Sequence, residues 1–440
     1  MAPAPRAGPA ALRIDQDTVA IPLGLFARLT ATGYDASGDT VVPDTIIWIS
    51  KDRRILRVAQ NGDVTALSTG SAWVVASDRH NRDSIHISVY ITPATIHAST
   101  DATCALTAAR NVVCWGWNEV GMLGDGTFED SPFPVLAANG AIFERLVVAG
   151  GVSCGMAGTQ VACWGYNGSG QLADGTNTSR ADAATIPVNA ELSDFYLGSG
   201  ATPCARDIAD VMWCWGWNSY GQLLNGTLVA SRRPLVLDTP VPLRMMASGN
   251  SHLCGLDSLQ IAWCWGRNDL GQAGNATFND IAPPAPVIGG LAFVQFVAGA
   301  DHSCGRTAGL EVWCWGSNAL GQIGPDGGTA SAVPVRVPLP PADTLVATRD
   351  HSCILSEGEA WCWGADTHGQ LGQGNPSGSS PQPRQISGLR FQSISAGGHH
   401  TCGISEAGEA WCWGRNRYGG LGHGGYGDSS SPVKVAYQRR

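Results

Sequence analysis

Residues 402–422 read CGISEAGEAWCWGRNRYGGLG. Two short apolar runs flank the three residues Glu406-Ala407-Gly408, with glycine where a hairpin loop of this length wants a left-handed residue. Counting outward from that turn sets Cys402 directly opposite Cys412, at a pair where the side chains of neighbouring strands come closest. A two-residue loop at Glu357-Gly358 does the same for Cys353 and Cys362. The same hairpin runs through the chain. Cys-Trp-Gly recurs seven times, with its cysteine at Cys114, Cys163, Cys214, Cys264, Cys314, Cys362 and Cys412, one copy every 48 to 51 residues. Each copy has a second cysteine nine or ten residues upstream, at Cys104, Cys154, Cys204, Cys254, Cys304, Cys353 and Cys402.

Working outward from the hairpin, a third apolar run precedes it and ends in small residues, as at Val297-Ala298-Gly299, and a fourth follows the loop, as at Pro334-Val335-Arg336-Val337. Four short strands in about 50 residues is the arithmetic of a propeller blade. One blade cannot bury both faces of its sheet, so the blades must stack, and a closed ring exposes no end blade. Solenoid repeats of this length are more often helical, and the 3.6-residue apolar period is absent. The expected fold is all-β, with a seven-bladed β-propeller.

The repeat uses all 14 cysteines, two per blade. The hairpin register predicts seven cross-strand disulfides, each closing a short loop worth roughly 2–3 kcal/mol by the chain-entropy argument. The rival is metal binding, since His252, His302, His351 and His400 each sit two residues before a cysteine. Close CxxC or HxxxH spacing is missing and three blades lack the histidine, so disulfides are the expectation and no metal or other cofactor is. Seven bridges require an oxidising compartment, which points to a secreted, periplasmic or cell-surface chain. The opening MAPAPRAGPAALRI has no apolar h-region, so an export signal is not visible.

Five blades read Trp-Cys-Trp. Residues i and i+2 of a strand share a face, so both indoles point one way and the cysteine the other. Each blade should therefore offer tryptophans to one neighbour and a disulfide to the other, as core packing rather than as a sugar platform. The formal net charge of −9 disfavours a nucleic-acid surface, and no run of 18 apolar residues exists. Asp125-Gly126-Thr127 and Asp174-Gly175-Thr176 read as turns rather than calcium loops, and the sequons at Asn167, Asn177, Asn225 and Asn275 likewise as turn chemistry. No nucleophile elbow or phosphate loop appears, so catalysis is not expected.

Before the repeats the cysteines vanish and the pattern alternates, with turns at Asp35-Ala36-Ser37-Gly38, Asn61-Gly62 and Thr69-Gly70. Residues 1–11, rich in Ala and Pro, read as a flexible tether. Residues 12–92 resemble the bacterial immunoglobulin-like domain of group 2, through Leu23-Gly24, Leu29-Thr30-Ala31, Tyr34 to Gly38, Ile47-Trp48-Ile49-Ser50, Val58, Asn61 to Leu67 and Gly70-Ser71-Ala72. The resemblance implies an N-terminal immunoglobulin-like β-sandwich serving as a spacer or adhesive module of a bacterial surface protein. Residues 95–438 resemble the regulator of chromosome condensation repeat family in hairpin, GQLG loop and seven-fold count. That resemblance implies the propeller but not what it binds.

The loops after Cys-Trp-Gly share a frame of Asn, Gly, Gln and Leu, and the positions between vary. Blades one to three place Trp117, Tyr166, Trp217 and Tyr220 there, and blade seven places Arg415, Arg417 and Tyr418. Blades four to six are plainer, with Arg267, Ser317, Ala319, Ala365 and Thr367. Ring closure sets blade seven beside blade one, so the aromatic and arginine residues are expected to form one arc of a binding face. The leading expectation is an extracellular or cell-envelope scaffold, monomeric by itself, that binds a protein or envelope component. The family resemblance also implies two alternatives: a guanine-nucleotide exchange factor-like regulator of a small GTPase, or a secreted propeller that inhibits an enzyme such as a β-lactamase.

Overall fold

The computed structural model describes residues 9–17, 19–43, 45–200 and 202–436. The chain divides into two compact units, residues 1–92 with 134–136 and 436–440, and residues 93–133 with 137–435. Among the described residues no helix is long and apolar enough to cross a membrane.

Among the described residues the N-terminal unit consists of three sheets. Ala11–Ile14 pairs with Ala31–Tyr34, which pairs with Thr40–Val41. Four strands, Val19–Pro22, Arg82–Tyr90, Gly70–Ser77 and Ile47–Ser50, lie side by side in that order. The third sheet joins Phe26–Arg28, Asp63–Ala66 and Leu56–Val58. Period-2 alternation decides what is inside: in Gly70–Ser77 the residues Ala72, Val74 and Ala76 are buried, while Trp73 between them is half exposed. The Asn61-Gly62 turn depends on its glycine, because a Cβ at Gly62 would stand 2.2 Å from the Leu29 carbonyl oxygen. Ala10 donates to the Tyr34 carbonyl, so pairing begins within the segment read as a tether. Residues 1–8 of that segment, and 437–438 at the far end of the repeats, lie outside the described residues.

Among the described residues the second unit is built from seven four-stranded antiparallel sheets, each taken from one contiguous repeat and ordered as in the sequence. In the seventh the strands are Phe391–Ala396, His400–Ser405, Ala410–Gly414 and Ser429–Lys434. The hairpin register is the expected one in every blade, from Cys104 opposite Cys114 to Cys402 opposite Cys412. All seven pairs are disulfide-bonded, with Cα atoms 4.0–4.1 Å apart. Glu357 (φ 49°), Gly358 (φ 81°) and Gly408 (φ 78°) hold left-handed conformations in the two turns that set the register. Arg110, Asp210, Gln260 and Leu310 hold the place of Gly408 in four other blades at φ 63–65°.

Between blades the packing has a direction. In blades two to six the disulfide lies in one cluster with both tryptophans of the next blade, as Cys254 and Cys264 do with Trp313 and Trp315, and Cys353 and Cys362 with Trp411 and Trp413. The second indole is buried in all seven blades: Trp115, Trp164, Trp215, Trp265, Trp315, Trp363 and Trp413. Each of these also reaches back. Its Nε1–H donates at 2.7–3.0 Å to a carbonyl in the loop of the preceding blade, on Gly420, Met122, Gln171, Gln222, Gln272, Gln322 and Gln370 in turn. A buried indole N–H without a partner would cost about 1–3 kcal/mol, so these bonds fix which loop lies on which indole. The last glycine of the loop makes room: at Gly422 a Cβ would lie 2.6 Å from Trp115 Nε1.

The four histidines weighed as metal ligands belong to the same seam. The Nε2 of His252, His302, His351 and His400 lies 2.7–2.9 Å from the hydroxyls of Ser303, Ser352, Thr401 and Thr103, each on the following blade. Thr103 Oγ1 in turn donates to the Gly420 carbonyl (2.8 Å), so it accepts from the imidazole and fixes the proton on Nε2.

Candidate functional site: the channel mouth

The first strand of each blade is innermost, and the ends of these strands line a central cavity of about 580 Å³. Its wall is mostly small residues such as Ala98, Ala149, Ala247, Ala298, Ala347 and Ala396; its charged members are Asp301, Arg349 and Asp350. At this mouth the turn between first and second strands meets the loop after Cys-Trp-Gly. The backbone N–H groups of Trp117, Tyr166, Arg267, Ser317, Ala365 and Arg415 donate to the carbonyls of Asp101, Gly151, Ser251, Asp301, Asp350 and His399. In these six blades the variable residue after the glycine therefore stands over the channel turn of its own blade.

The framework asparagine holds the rest of the loop. Asn268 is buried; its Oδ1 accepts from Ala273 N–H (2.8 Å) and its Nδ2 donates to the carbonyls of Thr277 (2.9 Å) and Asn279 (3.0 Å). Asn118, Asn167 and Asn218 repeat the pattern. In blade six Asp366 stands in this place. A carboxylate has no proton to give, so it accepts from Leu371 N–H and from the N–H and hydroxyl of Ser377 instead. Asp125 and Asp174 accept from the backbone and hydroxyl of Thr127 and Thr176, which is turn chemistry. Asn167 is itself a buried framework residue, which closes that sequon to modification.

The mouth divides by chemistry. In blades four to seven and across the closure to blade one it is ionic: Arg267 pairs with Asp301 (3.2 Å), Arg349 with Asp350 (3.3 Å) and Arg415 with Asp101 (3.3 Å). Burial pushes the carboxyls of Asp101 and Asp350 up, and Arg415 pulls against it at Asp101. Burial, helped by Arg349, Arg415 and His368, holds His399 down to about 4. In blades one to three the corresponding residues are aromatic.

The two halves meet where the ring closes. The Trp117 and Tyr418 rings lie 6.4 Å apart, and Arg415 and Arg417 stand 5.9 and 5.3 Å from the Tyr418 ring centre, within cation–π range. Four residues of the expected arc are thus brought together. The others are not. Tyr166 is 38% exposed but folds onto its own loop, its hydroxyl crowding Gly168. Trp217, 36% exposed, and the half-buried Tyr220 join no ring contact among the described residues. Asp101, Arg349 and His399 escaped the sequence reading because they lie in channel turns whose residues differ from blade to blade.

Two repeat models, both described as the regulator of chromosome condensation (RCC1) repeat, match the chain, one at residues 357–404 and 407–440, the other at 293–322 and 391–419. Yeast RCC1 (Prp20), solved bound to Kap60, is similar with a TM-score of 0.65 and 20% identity over 79% of this chain and 85% of that one. Prp20p from Saccharomyces cerevisiae, solved in work on its binding to Gsp1p and histones, gives 0.64 and 20% over 79% and 87%. Human WBSCR16 gives 0.65 and 20% over 74% and 94%. No curated protein sequence matches the chain. At such identity the likeness is one of fold: the chain carries RCC1 repeats and folds them as an RCC1-like propeller.

Proposed function

We propose that the chain is a protein-binding scaffold of an oxidising, extracellular or cell-envelope setting, and that it engages its partner with the channel-mouth face. The observation that carries this is the Trp117–Tyr418–Arg415–Arg417 cluster, placed on loops already pinned by framework asparagines. Trp, Tyr and Arg dominate binding hot spots, and a pre-ordered loop loses little entropy on docking. Seven disulfides support the compartment. The resemblance of residues 12–92 to a group 2 bacterial immunoglobulin-like domain supports a spacer or adhesive role for that unit.

The test is to change Trp117 and Tyr418 singly to alanine and measure both melting temperature and recovery of the wild-type chain's partner from the envelope fraction of its source cells. Lost binding at unchanged stability supports the site. Lost stability with intact binding assigns the cluster to packing. Guanine-nucleotide exchange is the second reading, favoured by the RCC1-like fold, and it requires faster nucleotide release from a small GTPase. The inhibitor reading requires tight binding to a purified hydrolase.

A further inference from the structure

The loop after each Cys-Trp-Gly carries a second exposed position. The framework amide draws in the carbonyls nine and eleven places on: Thr127 and Glu129 in blade one, Thr227 and Val229 in blade three, Thr277 and Asn279 in blade four. With its two neighbours' carbonyls held inward, the residue between them is left facing solvent. That residue is Phe128 in blade one, Leu228 in blade three, Phe278 in blade four and, by the same count from Asn416, Tyr426 in blade seven. They are 52%, 65%, 52% and 55% exposed. The propeller does not need them, since blades two, five and six have Asn177, Gly328 and Pro376 in their place. One exposed Phe is ordinary, but four large apolar tips at one structural position mark a contact surface.

Charge indicates what covers it. Two residues beyond the tip, blades one, four and seven have Asp130, Asp280 and Asp428. Each accepts the backbone N–H of its framework asparagine through one oxygen, and Asp428 also meets His368, yet all three remain exposed, and Glu129 directly follows Phe128. Residues 1–92 hold nine acidic and nine basic side chains, so the whole net charge of −9 falls on residues 93–440. Carboxylates beside every tip but one oppose an anionic bilayer and favour a cationic protein surface.

We propose that Phe128, Leu228, Phe278 and Tyr426 are the outer contact points for a basic protein partner, whose footprint runs from blade seven through blades one to four and leaves five and six bare. This deepens the reading of the mouth face as the binding face and rests on it. To test it, p-benzoylphenylalanine is placed singly at the four tips and, as controls, at Thr329, the exposed neighbour of Gly328, and at Pro376, in the full chain in its source cells, and irradiated. The proposal expects adducts with one basic protein from all four tips and none from the controls, with yield falling at least fivefold from 0.1 to 0.5 M salt. Glu129→Lys should lower the yield as well. Equal adducts from all six positions, adducts only with a second copy of this chain or with an acidic protein, binding only to phosphatidylglycerol vesicles, or no adduct at all would overturn it. The two readings fail differently. If Trp117→Ala binds normally while the tips still cross-link, only the aromatic cluster falls. If Phe128→Ser with Phe278→Ser binds normally and Trp117→Ala does not, only the outer rim falls.

Discussion

Trp115 of the first blade donates its indole N–H to the Gly420 carbonyl of the seventh at 2.9 Å, so the ring closes with the same bond that joins its other blades. Among the described residues no strand is exchanged between first and last repeats. Gly420 also accepts from Thr103, whereas the Gln171 carbonyl takes the Trp215 indole in a blade that has Pro203, without a hydroxyl, at the sequence place of Thr103. Trp115→Phe should therefore cost about 1–2 kcal/mol and Trp215→Phe about 1 kcal/mol more, because it leaves a buried carbonyl unpaired. Urea unfolding of both variants decides this; equal losses would mean the hydroxyls carry no weight at the seam.

Protein isolated from an oxidising compartment should have an intact mass 14 hydrogens below that of the reduced chain. Peptide mapping should recover only pairs such as Cys402–Cys412, whose Cα atoms are 4.0 Å apart. Replacing both cysteines of one blade by serine should lower stability by about 2–3 kcal/mol. A cross-blade link in the map would contradict the register.

Acid should loosen the ring through its histidines. Burial holds His252 at about 4 and His302, His351 and His400 at about 3, against 6.5 in an unfolded chain. Above pH 6.5 they are neutral in both states and contribute no pH dependence. From 6.5 down to about 4 for His252, and to about 3 for the other three, the unfolded chain binds protons that the folded one refuses, so stability falls as pH falls, by about 1.4 kcal/mol per pH unit for each histidine within its window. His302→Gln should flatten the stability–pH curve by about one such increment across that window, which denaturant titration at several pH values will read.

Arg415 opposes the upward push of burial on Asp101. Arg415→Ala should raise the Asp101 pKa further, as followed by NMR of its carboxyl carbon. An unmoved titration would show that the pair does not act as an ion pair in solution.

The hairpins were legible because a cysteine pair and a turn length together specify register. The glycine cue alone would have failed, since Arg110, Asp210, Gln260 and Leu310 hold left-handed turn positions without it. The tryptophan layer followed from strand periodicity, but its hydrogen bonds did not, because the accepting carbonyls lie some 40 residues away. In the N-terminal unit alternation showed which residues are buried but not which strands pair. Asp63–Ala66 joins both Phe26–Arg28 and Leu56–Val58 in a small third sheet, which no local pattern announces. The tips at Phe128, Leu228, Phe278 and Tyr426 were present in the aligned loops, but their meaning depends on where the framework amide points, and that is a property of the folded loop.

The framework asparagine has a consequence for how such a chain can change over generations. It separates the residues that keep the ring shut from the tip, so the tip can be rewritten in one blade without disturbing the next, whereas Arg267 and Arg415 over the channel are tied to Asp301 and Asp101 of the following blade. The tip positions of the repeats can then vary separately on a common chassis. On the reading of this face as the binding face, partner choice can drift one tip at a time, by point mutation, while the architecture that presents it stays still.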